Sequence, residues 1–262
     1  MDGGSPAVLL RSQSGEIATL TLNRPEARNA LSRGLMTALT DALAAIAEDR
    51  SVRVLIIAAS GPAFCAGHDL RELRSDPSEA FYRATFEACA RMMTAIVRLP
   101  KPVIAQVHGI ATAAGCQLAA SCDLVVATDT ARFATPGVNI GLFCSTPMVA
   151  LSRAVPHKQA MEMLLTGEMI SAERARDIGL VNRVVPEAAL AVATAELAAS
   201  IAAKSPLTLA IGKEAFYRQA EMTLDDAYAY TAEVMTRNML ARDAGEGIDA
   251  FLHRRKPVWT GA

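Results

Sequence analysis

Ile104–Ser145, IAQVHGIATAAGCQLAASCDLVVATDTARFATPGVNIGLFCS, is the stretch from which the fold is read. It begins within an apolar run, Val103–Val107, and holds a second at Leu124–Ala127, with a glycine turn and a short Ala-rich helix between them. Apolar runs of this length without polar alternation suit strands buried on both faces. Outward from here, Arg53–Ala59 (RVLIIAA) is another such run, and Glu16–Leu22 alternates until Asn23, Arg24 and Pro25 break it. A helical stripe of Leu35, Met36, Leu39, Leu43 and Ile46 starts near Ser32, and a second helix is expected over Ser78–Arg98, stopped by Pro100 and Pro102. Strands alternating with helices imply right-handed βαβ units and a mainly parallel sheet.

Past about Pro186 the pattern is helical only: Glu187–Ala203, Pro206–Ala220, Leu224–Leu240 and a last helix around Gly245–His253. No repeat, low-complexity stretch or linker divides the chain. Residues 1–262 are therefore expected to form one unit, with an α/β core to about 190 and a helical region over about 191–262.

The 262 residues fit one large domain or two small ones at roughly 150 residues per domain. A net charge of -1 gives no electrostatic reason for a nucleic-acid or acidic-membrane partner, and no apolar run approaches the length of a membrane span. The opening MDGGSPAVLL reads as neither a secretory signal nor an Arg-rich transit peptide. Five cysteines without a CxxC pair argue against a disulfide framework, and a reducing cytoplasm is the expected compartment. No G-x-G-x-x-G or Walker loop follows a strand, which disfavours dinucleotide binding. No metal cluster is read from the sequence.

Two glycine turns follow strands, FCAGHDL (Phe64–Leu70) and HGIATAAGCQL (His108–Leu118), the second leading into a helix. A helix N-terminus presents unpaired N–H groups at the positive end of its dipole. Two such turns could bring backbone donors onto one carbonyl oxygen; the alternative is that both are plain connections.

Together NRPEARNAL (Asn23–Leu31), FCAGHDL, KPVIAQVHGIATAAGCQLAASCDL, FATPGVNIGL, LLTGEMISAERARDIGLVNRVVP and FLHRRKPVW resemble the enoyl-CoA hydratase/isomerase (crotonase) superfamily, in order along nearly the whole chain. The resemblance implies an α/β crotonase (ClpP-like) fold of ββα repeats with a C-terminal helical region that packs trimers, often paired into hexamers. It implies a coenzyme A thioester as substrate or ligand and no other cofactor. The thioester oxygen would be held by the amides of His68, in CAGHD, and Ala114, in TAAGCQ. Preorganised donors of this kind stabilise a developing enolate, typically by several kcal/mol. The CoA contacts implied are Ala27, Arg28, Ala66, His68, Asp69, Leu70 and Arg71, with Phe251 and Lys256 reaching a neighbouring subunit's ligand. For those last two the alternative is a solvated basic tail.

Against the family pattern, the two glutamates that activate and deliver water in hydratases fall on Gln117 and Gly137, and a third acidic position falls on Ser145. A carboxamide takes up no proton near neutral pH and glycine has no side chain. General acid/base assistance is worth typically ~10²- to 10⁴-fold, so hydration is expected to be weak or absent. Two alternatives stay open. A malonyl-type acyl-CoA decarboxylase forms its enolate by losing CO₂, needing no base, and GHDL resembles such enzymes, with His68 to hold the carboxylate. A non-catalytic acyl-CoA-binding or regulatory oligomer is the other. Cys116, Cys122 and Cys144 are read as small buried hydrophobes rather than nucleophiles, and Asp123 as a structural carboxylate. Asp69 and Glu72 are expected to face solvent or the CoA entrance, while no motif brings His108, His157 or His253 to the pocket.

Overall fold

A computed structural model describes residues 7–262; most of the MDGGSPAVLL opening, residues 1–6, lies outside the described residues, and with it the reading of that opening. The described chain starts with strands β1 (Leu9–Ser14) and β2 (Ile17–Leu22), then α1 (Arg33–Glu48), β3 (Val54–Ala59), α2 (Leu70–Ser75) and α3 (Glu79–Arg98). The central part runs β4 (Val103–Val107), β5 (Ile110–Thr112), α4 (Ala114–Ser121), β6 (Leu124–Thr128), β7 (Arg132–Ala134), a 3-10 turn (Pro136–Ile140), α5 (Pro147–Ala154) and α6 (His157–Thr166). Next come β8 (Ile170–Ser171), α7 (Ala172–Asp177) and β9 (Arg183–Val185), followed by helices only: α8 (Leu190–Ala202), α9 (Pro206–Gln219), α10 (Leu224–Met239) and α11 (Arg242–Leu252).

The main sheet has the order β1-β2-β3-β4-β6-β9, antiparallel at β1/β2 and parallel elsewhere, and a small second sheet has the order β5-β7-β8. The chain repeatedly lays one strand in the large sheet, the next in the small sheet, and then turns into a helix, as in β4-β5-α4. The apolar runs have a direct cause. Leu55 and Ile57 of β3 enter the core shared with α1 and α3, while Val54, Ile56 and Ala58 point the other way onto Leu190, Ala198 and Ala202 of α8. Helix α1 buries the predicted stripe of Leu35, Met36, Leu39, Leu43 and Ile46, and Ser32 caps it by accepting from the Leu35 amide.

The two- and three-residue strands β5, β7, β8 and β9 escape the sequence reading because so short a stretch has no period to detect. The helix expected over Glu187–Ala203 is a 3-10 turn followed by α8, and the last helix begins at Arg242 rather than near Gly245.

One buried ionic cluster ties the helical region to the core. Asp123 accepts from the Val103 amide at 2.6 Å, from Lys213 Nζ at 2.7 Å and from Tyr217 Oη at 2.9 Å, while Lys213 also donates to the carbonyls of Ile96 and Lys101. The C-terminal tail is exposed but tied to the helical region by hydrogen bonds. Asp243 receives Ser205 Oγ, the amides of Thr260 and Gly261 and the Thr260 hydroxyl. Burial alone would raise the Asp243 carboxyl, but those hydrogen bonds outweigh it and hold it down at about 2. Glu246 grips Arg255 with both carboxylate oxygens, so of the basic tail residues Arg255 is already paired.

Candidate active site

The turn after β3 is stitched on both sides. Cys65 pairs sideways with β5, its amide donating to the Ile110 carbonyl and its carbonyl accepting from the Thr112 amide, each at 3.0 Å. Two residues on, the Leu31 amide donates to the Gly67 carbonyl at 2.7 Å and the Asp69 amide to the Leu31 carbonyl at 3.2 Å. This ladder faces the amide of His68, between Gly67 and Asp69, to the opposite side, and no acceptor among the described residues takes it.

The second turn meets the first at two glycines. Gly67, at φ +104, lies so close that a Cβ there would stand 3.0 Å from Ala113 Cβ and 3.6 Å from the Ala114 nitrogen. At Gly115 a Cβ would fall 2.0 Å from the Cys65 carbonyl oxygen, so only glycine lets the first turn of α4 lie on this strand. Ala113 is held at φ 50, rare for a residue with a Cβ, by its amide's bond to the Ala134 carbonyl. That strained corner aims the start of α4 at the His68 turn. The Ala114 amide, first in α4, likewise has no acceptor among the described residues. Two unpaired N–H groups thus sit on turns in van der Waals contact, at the positive end of a helix dipole.

The side chains around them are neutral. The His68 ring is edge-on to Phe86 of α3 with centroids 5.4 Å apart, and its Nε2 is buried without a partner. Burial pushes the imidazole down to about 4, so it is uncharged at neutral pH. One turn further along α3, Cys89 Sγ lies 3.9 Å from Gln117 Oε1, fixing the buried carboxamide against the same helix face. Thr135 Oγ1, next to the Ala134 that holds Ala113, is the other buried side-chain atom without a partner among the described residues. Burial raises the thiols of Cys65, Cys89 and Cys116 to about 12 and pushes Cys122 and Cys144 upward as well, so none is a thiolate at neutral pH.

Of the residues singled out from the sequence, His68, Ala114 and Gln117 are brought together by α3 and α4. Gly137 is buried in the 3-10 turn after β7, whereas Ser145 is exposed and turned onto its own loop, its Oγ reaching the Phe143 carbonyl. Ala66 donates its amide to the Arg28 carbonyl, which gathers Ala27, Arg28 and Ala66 at one edge; Leu70 and Arg71 open α2 beside them, exposed. Asp69 departs from expectation: its carboxylate caps α2 through the Arg71 and Glu72 amides and pairs with Arg24 at 2.9 Å. Glu72, also expected to face solvent or the entrance, accepts from the Arg33 amide. Both carboxylates are spent on helix starts, because an unpaired backbone donor nearby competes for them. Phe251 and Lys256 are exposed in the helical region and make no hydrogen bond or ion pair with this cluster among the described residues.

Sequence reasoning missed Asn29. At φ 54 it is buried, donating to the Ser60 and Ala63 carbonyls at 2.8 Å each and so fixing the Arg28 turn. The left-handed tolerance of Asn after NRPEAR was an available signal. The Phe86 contact left none, being long-range.

The profile of the family described as enoyl-CoA hydratase/isomerase matches residues 12–262. A Xenopus laevis protein named enoyl-CoA hydratase domain-containing protein 3, mitochondrial, is 50% identical over 98% of this chain and 87% of its own length. The human protein of the same name is 48% identical over 93% of this chain and 80% of its own. Its crystal structure superposes with a TM-score of 0.93 at 47% identity, covering 96% of this chain and 100% of that one. A structure described as an enoyl-CoA hydratase of Mycobacterium smegmatis reaches a TM-score of 0.94 at 54% identity, covering 96% and 98%. The GHDL, ATAAGCQLAASCD and FATPGVNIGLFCSTP segments resemble this domain-containing-protein-3 group in particular.

These relatives correct the cytoplasmic expectation, since the frog and human proteins are both named mitochondrial. Free cysteines report a reducing environment, not which compartment supplies it. In fold, the crotonase architecture expected from the motifs is the one found. With its profile matched almost end to end and its backbone superposing on solved relatives, this chain belongs to the enoyl-CoA hydratase/isomerase family.

Proposed function

We propose that this protein binds an acyl-CoA thioester with the thioester oxygen between the amides of His68 and Ala114, and that its enoyl-CoA hydratase activity is weak or absent. The observation that carries this is the contact of the two turns, which leaves both amides without an internal acceptor. An enolate oxygen would find its donors already oriented, while the family's acid positions hold a carboxamide, a hydrogen and a hydroxyl at Gln117, Gly137 and Ser145. The CoA moiety would lie along Ala27, Arg28, Ala66, Leu70 and Arg71, with the phosphates drawn to the arginines, and a second copy would supply Phe251 and Lys256 in a homo-oligomer, a trimer or a pair of trimers. For Asp69 the contact would be through its backbone.

The test pairs two measurements on the purified protein: calorimetric binding of butyryl-CoA and hydration of crotonyl-CoA. Binding with hydration at least ~10²-fold below an ordinary family hydratase is expected from the missing acids. Turnover at ordinary enzyme rates, abolished by one substitution in this pocket, would overturn it. Decarboxylation of a malonyl-type ester draws on the same two amides. However, His68 is neutral, and the neighbouring Arg24 is committed to Asp69 and the Ala30 carbonyl, so neither of these two offers a substrate carboxylate a free positive charge. CO₂ release that vanishes in His68→Ala would put decarboxylation first, and binding with no conversion of any ester would favour the non-catalytic reading.

A further inference from the structure

Gly137 is more than a missing acid. Its φ lies outside the left-handed region, so backbone conformation does not bar a side chain; space does. A Cβ built there would stand 2.6 Å from the Leu142 carbonyl oxygen, 2.9 Å from Cys144 Sγ and 3.3 Å from the Leu142 carbonyl carbon. The segment that intrudes is pinned rather than loose. The Leu142 amide donates to the Gly137 carbonyl at 2.9 Å, the Cys144 carbonyl accepts from the Met148 amide of α5 at 2.9 Å, and α5 packs on α4. Cys144 is itself buried, with its Sγ against the Gly137 position, and burial pushes its thiol up.

We infer that Leu142–Cys144 forms a fixed wall over the position of the second acid, closing that face of the acyl site to a side chain and to an activated water. Specificity against hydration then resides in the backbone path, with Gly137 and Cys144 as the specificity-determining pair. The reaction class that fits is one in which an enolate is formed and consumed without adding water. This rests on the acyl-CoA reading above.

Three variants test it. Gly137→Ala should melt at a lower temperature than wild type and bind butyryl-CoA more weakly, by about tenfold if one donor or wall contact worth 1.4 kcal/mol is lost. Adding Cys144→Gly should recover part of both losses, because the 2.9 Å contact is removed while the carbonyl contact stays. Restoring both acids in Gln117→Glu/Gly137→Glu should bring no hydration of crotonyl-CoA, whether the variant folds or not. A Gly137→Ala protein that melts and binds like wild type overturns the inference, as does a rise in hydration of about a hundredfold or more in the acid-restored variant, the size expected of general acid/base assistance. Failure of the wild type to bind any CoA ester overturns the acyl-CoA reading instead, and the melting comparison tells the two failures apart.

Discussion

At His68 one residue carries two functions that its type alone does not separate. Its backbone amide is the candidate donor, and its ring is packed against Phe86 with Nε2 sealed from solvent. The sequence offered His68 as a group to hold a carboxylate, but the burial of its ring depresses it from 6.5 to about 4, so it would do so uncharged at neutral pH. The sign of the resulting pH dependence follows. Between those values the unfolded chain binds a proton that the folded one does not, so folding stability falls as pH drops from about 6.5 toward about 4 and this contribution is fully present only above 6.5. Urea denaturation across that range should show the decline, and His68→Phe should flatten the part due to this group. An unchanged slope in that variant would contradict the assignment. The same logic disposes of the cysteines: the chain has five, and with all of them buried and their thiols raised, thiolate chemistry at neutral pH has no starting group.

Among the elements, α9 shows how a carboxylate read as structural from its place after Cys122 acquires its partners. Asp123 begins β6's approach, and the residues that neutralise it, Lys213 and Tyr217, come from one face of a helix some ninety positions away. The Lys213–Asp123 pair is largely buried, with side-chain exposures of 8% and 17%, so removing one partner leaves the other uncompensated. Asp123→Ala should destabilise by about 3 kcal/mol, and Lys213→Met added to it should recover much of the loss, since an apolar replacement of the whole pair removes the stranded charge. Equal stability of Asp123→Ala and wild type in guanidinium unfolding would show that α9 is held by apolar contacts alone. Helix α4 makes a comparable point without charges: its start can approach the Cys65 strand only because Gly115 has no side chain.

For the whole molecule, the helical region leaves an apolar face that the rest of the chain does not cover. Helix α10 buries no residue, and Leu224, Tyr228, Met235 and Met239 on it are 72%, 71%, 61% and 51% exposed. They recur at intervals of four, seven and four, one stripe of a helix. A stripe of this kind on a free monomer is unusual, and a second copy is the occupant already proposed. Sedimentation velocity at micromolar concentration should show an oligomer for the wild type and a smaller species for Tyr228→Glu/Met235→Glu. A wild-type monomer would refute the assembly. The compartment was misread at this same scale, because cysteine redox state is a property of the surroundings that several compartments share.

What the sequence by itself determined were the features with short-range signatures. Strands buried on both faces wrote near-continuous apolar runs at Arg53–Ala59, Val103–Val107 and Leu124–Ala127, the stripe of α1 wrote a helical period, and Gln117 and Gly137 could be seen to lack carboxylates without any coordinates. Only the tertiary structure decided what those residues meet. That Gly67 lies on the Ala114 amide, that His68 is neutral, that Asp69 is committed to Arg24 and that Leu142 and Cys144 fill the space beside Gly137 all depend on segments far apart in sequence. Periodicity is a local consequence of backbone geometry and burial, whereas desolvation, steric exclusion and the contact of two turns arise only after the chain has closed on itself.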